Sequence, residues 1–199
     1  MSAEHLAEGI PAPGDALVIV DVQEDFVSGS LAVRDGAEVI PPLNRAAEVF
    51  AERGLPVFAT RDWHPEDHVS FEQQGGPWPP HSVQGTPGAE PAEGLVLPPG
   101  TVGIDKATTA EMDAYSGFSG TSLADDLRAK GVRRVVVGGL TTDYCVLNTV
   151  TDALSEGFEA VVLEDAIRPV DAQPGDGARA EDAMRRAGAR FTTVDALDS

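Results

Sequence analysis

The chain has 199 residues, enough for one compact domain with a single sizeable core. It carries 33 acidic against 14 basic residues, a formal net charge of -19, which repels phosphate backbones and anionic lipid and so argues against nucleic-acid and membrane-surface roles. The one cysteine, Cys145, excludes an intramolecular disulfide and fits a reducing compartment.

Residues 1–14 (MSAEHLAEGIPAPG) contain no Lys or Arg and no long apolar run, so they read as a flexible tail rather than a secretory signal. No apolar run approaches the ~18 residues that span a bilayer, and a cytoplasmic location is expected. Ala16 to Asp21 (ALVIVD) reads as a buried strand. Pro41 to Arg53 reads as a helix, with Pro tolerated in its first turn and Gly54 at its end. Leu55 to Arg61 is a second strand and Thr101 to Lys106 a third. Between them, residues 63–100 are rich in Pro and Gly and too long for an ordinary loop. Such a segment is usually functional, a lid for example, or else disordered.

Ser122-x-x-Asp125 resembles a capping box that opens a short helix ended by Gly131. Arg134 to Val137 is a strand. Thr142 to Glu156 is a helix, with Val146, Val150, Ala153 and Leu154 on one face and Gly157 as a stop. Phe158 to Leu163 is a strand, Ala178 to Ala187 a helix, and Arg190 to Val194 a last strand. This alternation predicts an α/β fold over residues 15–199: one domain, three layers (α/β/α), with a mostly parallel sheet. Sites in such sheets lie at the carboxyl ends of the strands. Asp21, Asp62 and Lys106 all fall at predicted strand ends, and Cys145 lies just after another.

Cys145 sits in GGLTTDYCV, in the expected first turn of a helix. Backbone N–H groups and the positive helix end there are expected to lower the thiol pKa and could also hold an oxyanion. Read alone, a single cysteine is more often a small buried hydrophobe, and the strand-end positions of an Asp and a Lys shift the balance. Asp21, closing a buried strand, is expected to have a raised pKa suited to taking a thiol proton. Lys106 follows GID, where its charge could stabilise the ionised Asp or the thiolate.

Three of the four histidines lie between positions 64 and 81. Asp62 and His64 are two apart and point the same way in extended chain, and His81 comes from the far side of the loop. Two imidazoles and a carboxylate suit zinc, iron or manganese, and three protein ligands leave positions open for water or substrate. His68 is open between direct ligation, ligation through water, and packing; His5 has no expected role. Phe26 and Trp78 are candidate walls for a flat ring.

VDVQEDFVSGSLAV, TRDWHPEDHVSF, WPPHSVQGTPGAE, the Lys106 region with AYSGF, and GGLTTDYCV together resemble the nicotinamidase branch of the isochorismatase-like cysteine hydrolases. The resemblance runs in order from about residue 16 to about residue 165. It implies an α/β/α fold, a triad of Asp21, Lys106 and Cys145, and one divalent metal, zinc before iron or manganese, on Asp62, His64 and His81. It further implies a cis peptide between Leu140 and Thr141, with the N–H groups of Thr141 and Cys145 as the oxyanion hole. Tyr115 and Tyr144, within AYSGF and TTDYCV, join Phe26 and Trp78 as candidate ring contacts. The implied reaction is hydrolysis of nicotinamide, and of pyrazinamide-like aromatic amides, to the acid and ammonia through a cysteine thioester. A small-molecule substrate is the expected partner, and a homo-oligomer is compatible with the fold.

Two positions depart from the family pattern: Ser82 stands where many relatives have Cys, and Thr141 where Ala is usual. Three rival readings stay open. One is an amidase for a carbamoyl or ureido compound; another is a metal-activated-water hydrolase with an inert Cys145. The last is a non-enzymatic binding module on the same fold.

Overall fold

The computed structural model describes residues 9–198. Runs of β-branched and aliphatic residues become strands buried on both faces, as a parallel sheet sandwiched by helices requires. The elements in chain order are β1 (Asp15–Val20), α1 (Glu24–Val27), α2 (Ile40–Glu52), β2 (Val57–Asp62), β3 (Val102–Lys106) and α3 (Leu123–Ala129). They continue with β4 (Arg134–Leu140), α4 (Leu147–Ser155), β5 (Glu159–Arg168), α5 (Asp176–Ala187) and β6 (Arg190–Thr192). The six strands form one parallel sheet in the order β3-β2-β1-β4-β5-β6.

That order creates a switch point. From β1 the chain builds outward to β2 and β3, then crosses to β4 on the other side of β1 and builds outward again. The loops leaving β1 and β4 therefore run in opposite directions and open a crevice at the carboxyl ends of the strands.

Alternate strand residues feed two cores. Leu17, Ile19 and Val136 pack against Leu43, Ala46, Ala47 and Phe50 of α2 on one face. Val18, Val135 and Val137 pack against Leu123 and Leu127 of α3, Val150 and Ala153 of α4, and Met184 of α5 on the other. The glycines read as helix stops act as such. After α2, Gly54 adopts φ 66°, its N–H bonds to the Ala51 carbonyl, and the next N–H bonds to that of Phe50. Gly131 and Gly157 close α3 and α4 with the same pair of bonds.

Several expectations need correction. Ser122 makes no side-chain bond to the backbone of α3; its hydroxyl donates to the Asp126 carboxylate at 2.7 Å, so the capping box does not form. The helix expected from Thr142 opens with a π-helical turn over Thr142–Val146 before α4 begins. β5 runs on to Arg168, burying Ala166 and Ile167 after a register shift opposite Val137 and Gly139. β6 ends at Thr192, and the chain turns into a 3-10 helix that buries Val194 and Leu197.

Residues 63–100 form a folded strap with two 3-10 turns and bridges pairing His64 with Val83, Phe71 with Trp78, and Gln23 with Pro91. Of the expected tail, residues 1–8 with His5 lie outside the described residues. The carbonyls of Gly9, Pro11 and Pro13 accept hydrogen bonds from Arg134, Arg53 and Arg133. Among the described residues, no helix is long and apolar enough to cross a membrane.

Candidate active site

Asp21 follows β1 at φ 46°, a left-handed conformation uncommon for a residue with a Cβ, which turns the chain out of the sheet. Its carboxylate is fully buried and accepts a hydrogen bond from the Thr60 hydroxyl at 2.7 Å. Lys106 ends β3 and reaches over β2. Its ammonium lies 2.9 Å from Asp21 Oδ2, bonds to Asp62 Oδ1, and donates to the Ala114 carbonyl at 3.0 Å. The same nitrogen is 3.6 Å from Cys145 Sγ.

Cys145 arrives from the other half of the sheet. Gly139 permits the approach, because a Cβ there would fall 2.1 Å from the Val20 carbonyl oxygen. The Leu140–Thr141 peptide is cis. The π-helical turn follows, with the Val146 N–H bonded to the Thr141 carbonyl at 3.0 Å. Sγ thus comes within 4.8 Å of a carboxylate oxygen of both Asp21 and Asp62.

The electrostatics differ from expectation at one point. Burial pushes the Asp21 carboxyl up, as expected, against the pull of Lys106. Burial also pushes the Cys145 thiol well above its ordinary value; Lys106 opposes this, while Asp21 and Asp62 add to it. The depressed thiol pKa expected from a helix start is therefore corrected. Cys145 is only 5% exposed, and two carboxylates face its sulfur. Burial works against the Lys106 charge, yet Asp21 and Asp62 outweigh it and hold the ammonium protonated.

Beside this cluster lie Asp62, His64 and His81, whose ligating atoms fall within 4.8 Å of one another. Asp62 Oδ2 is 3.6 Å from His64 Nε2 and 4.0 Å from His81 Nε2. His64 Nδ1 faces the Ala107 carbonyl at 3.2 Å and His81 Nδ1 the Pro79 carbonyl at 2.8 Å. A carbonyl can only accept, so both Nδ1 atoms carry a proton, and both Nε2 atoms face Asp62 Oδ2. Burial also holds the His81 pKa down, which favours the neutral, ligating form. Two buried carboxylates share one ammonium, leaving one formal negative charge in excess before the thiol ionises. This donor set and charge fit a divalent cation.

His68 does not join the set. Its Nδ1 pairs with the Ser70 hydroxyl at 2.7 Å and its Nε2 with the Met112 carbonyl at 3.0 Å, so both nitrogens are engaged. Its ring stacks on His64 at 4.1 Å. Of the three options for His68, the structure gives packing. Phe26 lies edge-on to His81 at 5.5 Å. Trp78 donates its indole N–H to the Tyr115 hydroxyl at 3.1 Å and meets Tyr144 edge-on at 5.0 Å, so three candidate ring contacts form one aromatic cluster. Among the described residues, Thr141 Oγ1 and Ser82 Oγ are buried and find no hydrogen-bond partner.

Sequence reasoning passed over Gln23 and Asp25. Gln23 is buried, and its amide bonds to both backbone groups of Asp62; Asp25 accepts the Ser82 N–H at 2.7 Å. Both polar residues stand in the quoted VDVQEDF, but their partners lie 39 and 57 positions away. Nothing local marks such pairings.

Known proteins share this arrangement of chain. The nicotinamidase of Escherichia coli (strain K12) is 37% identical over 204 residues, covering 92% of this chain and 96% of its own. The nicotinamidase/pyrazinamidase of Mycobacterium tuberculosis is 40% identical over 168 residues, covering 79% and 88%. The crystal structure of the pyrazinamidase of Pyrococcus horikoshii in complex with zinc superposes with a TM-score of 0.87 at 47% identity, covering 91% of this chain and 99% of that one. The isochorismatase domain model matches residues 15–196, and the chain belongs to that family.

Proposed function

We propose that the chain is a nicotinamidase, a cysteine amidase that converts nicotinamide to nicotinate and ammonia. The observation that carries this reading is the meeting of Cys145 Sγ, Lys106 Nζ and the Asp21 carboxylate beside the Asp62, His64 and His81 set. Relatives named as nicotinamidases and pyrazinamidases support the substrate class, and the zinc in one of them supports zinc as the metal.

In this reading the thiol, raised by burial, is mostly protonated at rest, and Asp21, itself raised, takes the proton as Sγ attacks the carboxamide carbon. Lys106 stays cationic and offsets the charge that gathers on sulfur and carboxylate. The backbone N–H groups of Thr141 and Cys145 hold the oxyanion. Asp21 then returns the proton to the leaving nitrogen, and ammonia departs. A water that gives its proton to Asp21 attacks the thioester; carboxylic acid is released and Cys145 regains its proton. Asp62, His64 and His81 would hold the metal, which supplies a Lewis-acidic anchor for the ring nitrogen. Phe26, Trp78, Tyr115 and Tyr144 flank the ring.

The test is ammonia release from nicotinamide, pyrazinamide and an N-carbamoyl amide by purified protein, with and without chelator. We expect turnover of the first two, with loss of at least about 10⁴-fold in Cys145→Ala. Substantial turnover in that variant would favour metal-activated water instead. Turnover of the carbamoyl compound alone would favour the ureido branch.

A further inference from the structure

We infer that Gln23 and Asp25 are positioning residues that assemble the metal ligands from one short segment just after the candidate base. The inference rests on reading Asp62, His64 and His81 as the metal site.

The β1–β2 ladder pairs Val20 with Thr60 and then stops, because Asp21 turns away at φ 46°. Alternate residues of a parallel strand bond to the same neighbour, so the backbone groups of Asp62 face the space where β1 would have continued. The Gln23 side chain fills that space. Its Oε1 accepts the Asp62 N–H at 2.8 Å, and its Nε2 donates to the Asp62 carbonyl at 2.8 Å. The second Nε2 hydrogen goes to the Ala89 carbonyl at 2.9 Å. A side-chain amide thus stands in for the missing peptide of β1 and fixes the backbone that carries the ligand.

Asp25 acts on the other ligands. Its Oδ2 accepts the Ser82 N–H at 2.7 Å, and its Oδ1 the Ser30 N–H at 3.1 Å. Ser82 follows His81 and sits at φ 48°. The Ser82 carbonyl in turn accepts the His64 N–H at 3.0 Å, so the two peptide groups flanking Ser82 link Asp25, His81 and His64. Gly88 lies so close that a Cβ there would fall 2.1 Å from Asp25 Oδ2. The carboxylate is boxed in, and the backbone it holds is boxed in with it. Phe26 completes the segment by packing against the His81 ring. Ligand geometry must hold to about 0.5 Å, and the residues behind the ligands set that tolerance.

The test compares zinc affinity in the full chain, Gln23→Met and Asp25→Asn, by competition with a chromogenic chelator, alongside the absorption spectrum of the cobalt form. Gln23→Met keeps the volume and removes all three hydrogen bonds; we expect about a 10- to 100-fold loss of zinc affinity with a changed cobalt spectrum. Asp25→Asn keeps the shape and weakens the hold on Ser82, and a smaller loss, about several-fold, is expected. A purely structural role would lower the unfolding temperature of the metal-free protein and leave both metal readouts unmoved in the folded fraction, which would overturn the inference. Should Gln23→Met fail to fold, unchanged zinc affinity in Asp25→Asn overturns it equally. A parent chain that binds neither zinc nor cobalt sinks the underlying metal reading instead, so the two failures are told apart.

Discussion

Two buried ionic clusters sit at opposite ends of the same sheet, and they are built on opposite principles. At the amino ends, Asp15 of β1 and Arg134 of β4 are register partners. They form a two-pronged pair at 2.8 and 2.6 Å, both side chains fully buried. One acid meets one base, and the Ala12 N–H supplies a further bond to Asp15 at 2.7 Å. At the carboxyl ends, one ammonium serves two carboxylates and a thiol, and among the described residues Asp21 Oδ2 has no well-aligned hydrogen bond beyond its ion pair. The first cluster is closed in charge and in hydrogen bonds and is structural. The second is left open in both, and an unbalanced buried cluster is where chemistry or a further cation belongs.

The comparison is broken most directly by removing the cation from each end. Removing Arg134 leaves one buried carboxylate unpaired and removing Lys106 leaves two, so Arg134→Met and Lys106→Met should each cost at least about 3–5 kcal/mol in the metal-free protein, measured by denaturant unfolding. Lys106→Met should also cut amide turnover by at least about 10³-fold, whereas the folded fraction of Arg134→Met should keep the parent kcat/KM. Equal loss of turnover in both would show that the two ends do not differ in kind.

A pH series sharpens the same contrast. Because burial raises the Cys145 thiol, its alkylation by a neutral haloacetamide in metal-free protein should still be rising above the ordinary thiol value of 9.0. A rate that levels off below about pH 8.5 would mean that burial and the facing carboxylates do not hold the proton on sulfur. The sign for stability follows. The native state keeps a proton that the unfolded state releases, so this group makes the fold less stable as pH rises through and beyond about 8.5.

The smallest effect is expected at His68. His68→Phe removes its bonds to Ser70 and Met112 and should cost about 1–3 kcal/mol, with turnover changed only a few-fold. Metal content should remain one ion per chain by elemental analysis. Loss of the metal would make His68 a ligand after all.

Much of the fold was legible before any coordinates. ALVIVD and RVVV read as buried strands, because short apolar runs rich in β-branched residues suit strands covered on both faces of a parallel sheet, and both are strands. Gly54, Gly131 and Gly157 marked helix ends because a left-handed residue there satisfies the last carbonyls. Asp21, Asp62, Lys106 and Cys145 stood out as polar groups at the ends of such strands. Boundaries decided by long-range packing were missed: the extension of β5, the shortening of β6 and the π-helical turn before α4. The first answers to Gly139 across the sheet, and the second to the burial of Val194 and Leu197.

Residue types and local periodicity, then, were enough to determine the layers and to mark Asp21, Asp62, Lys106 and Cys145 as candidates, since those readings depend on neighbours within a few positions. Tertiary structure alone decided that Lys106 bridges Asp21, Asp62 and the sulfur, that His68 turns both nitrogens away from the ligand set, and that Gln23 replaces a missing peptide. Each of those outcomes depends on distances between segments dozens of residues apart, and the thiol's raised pKa depends on how completely the folded chain excludes water around it.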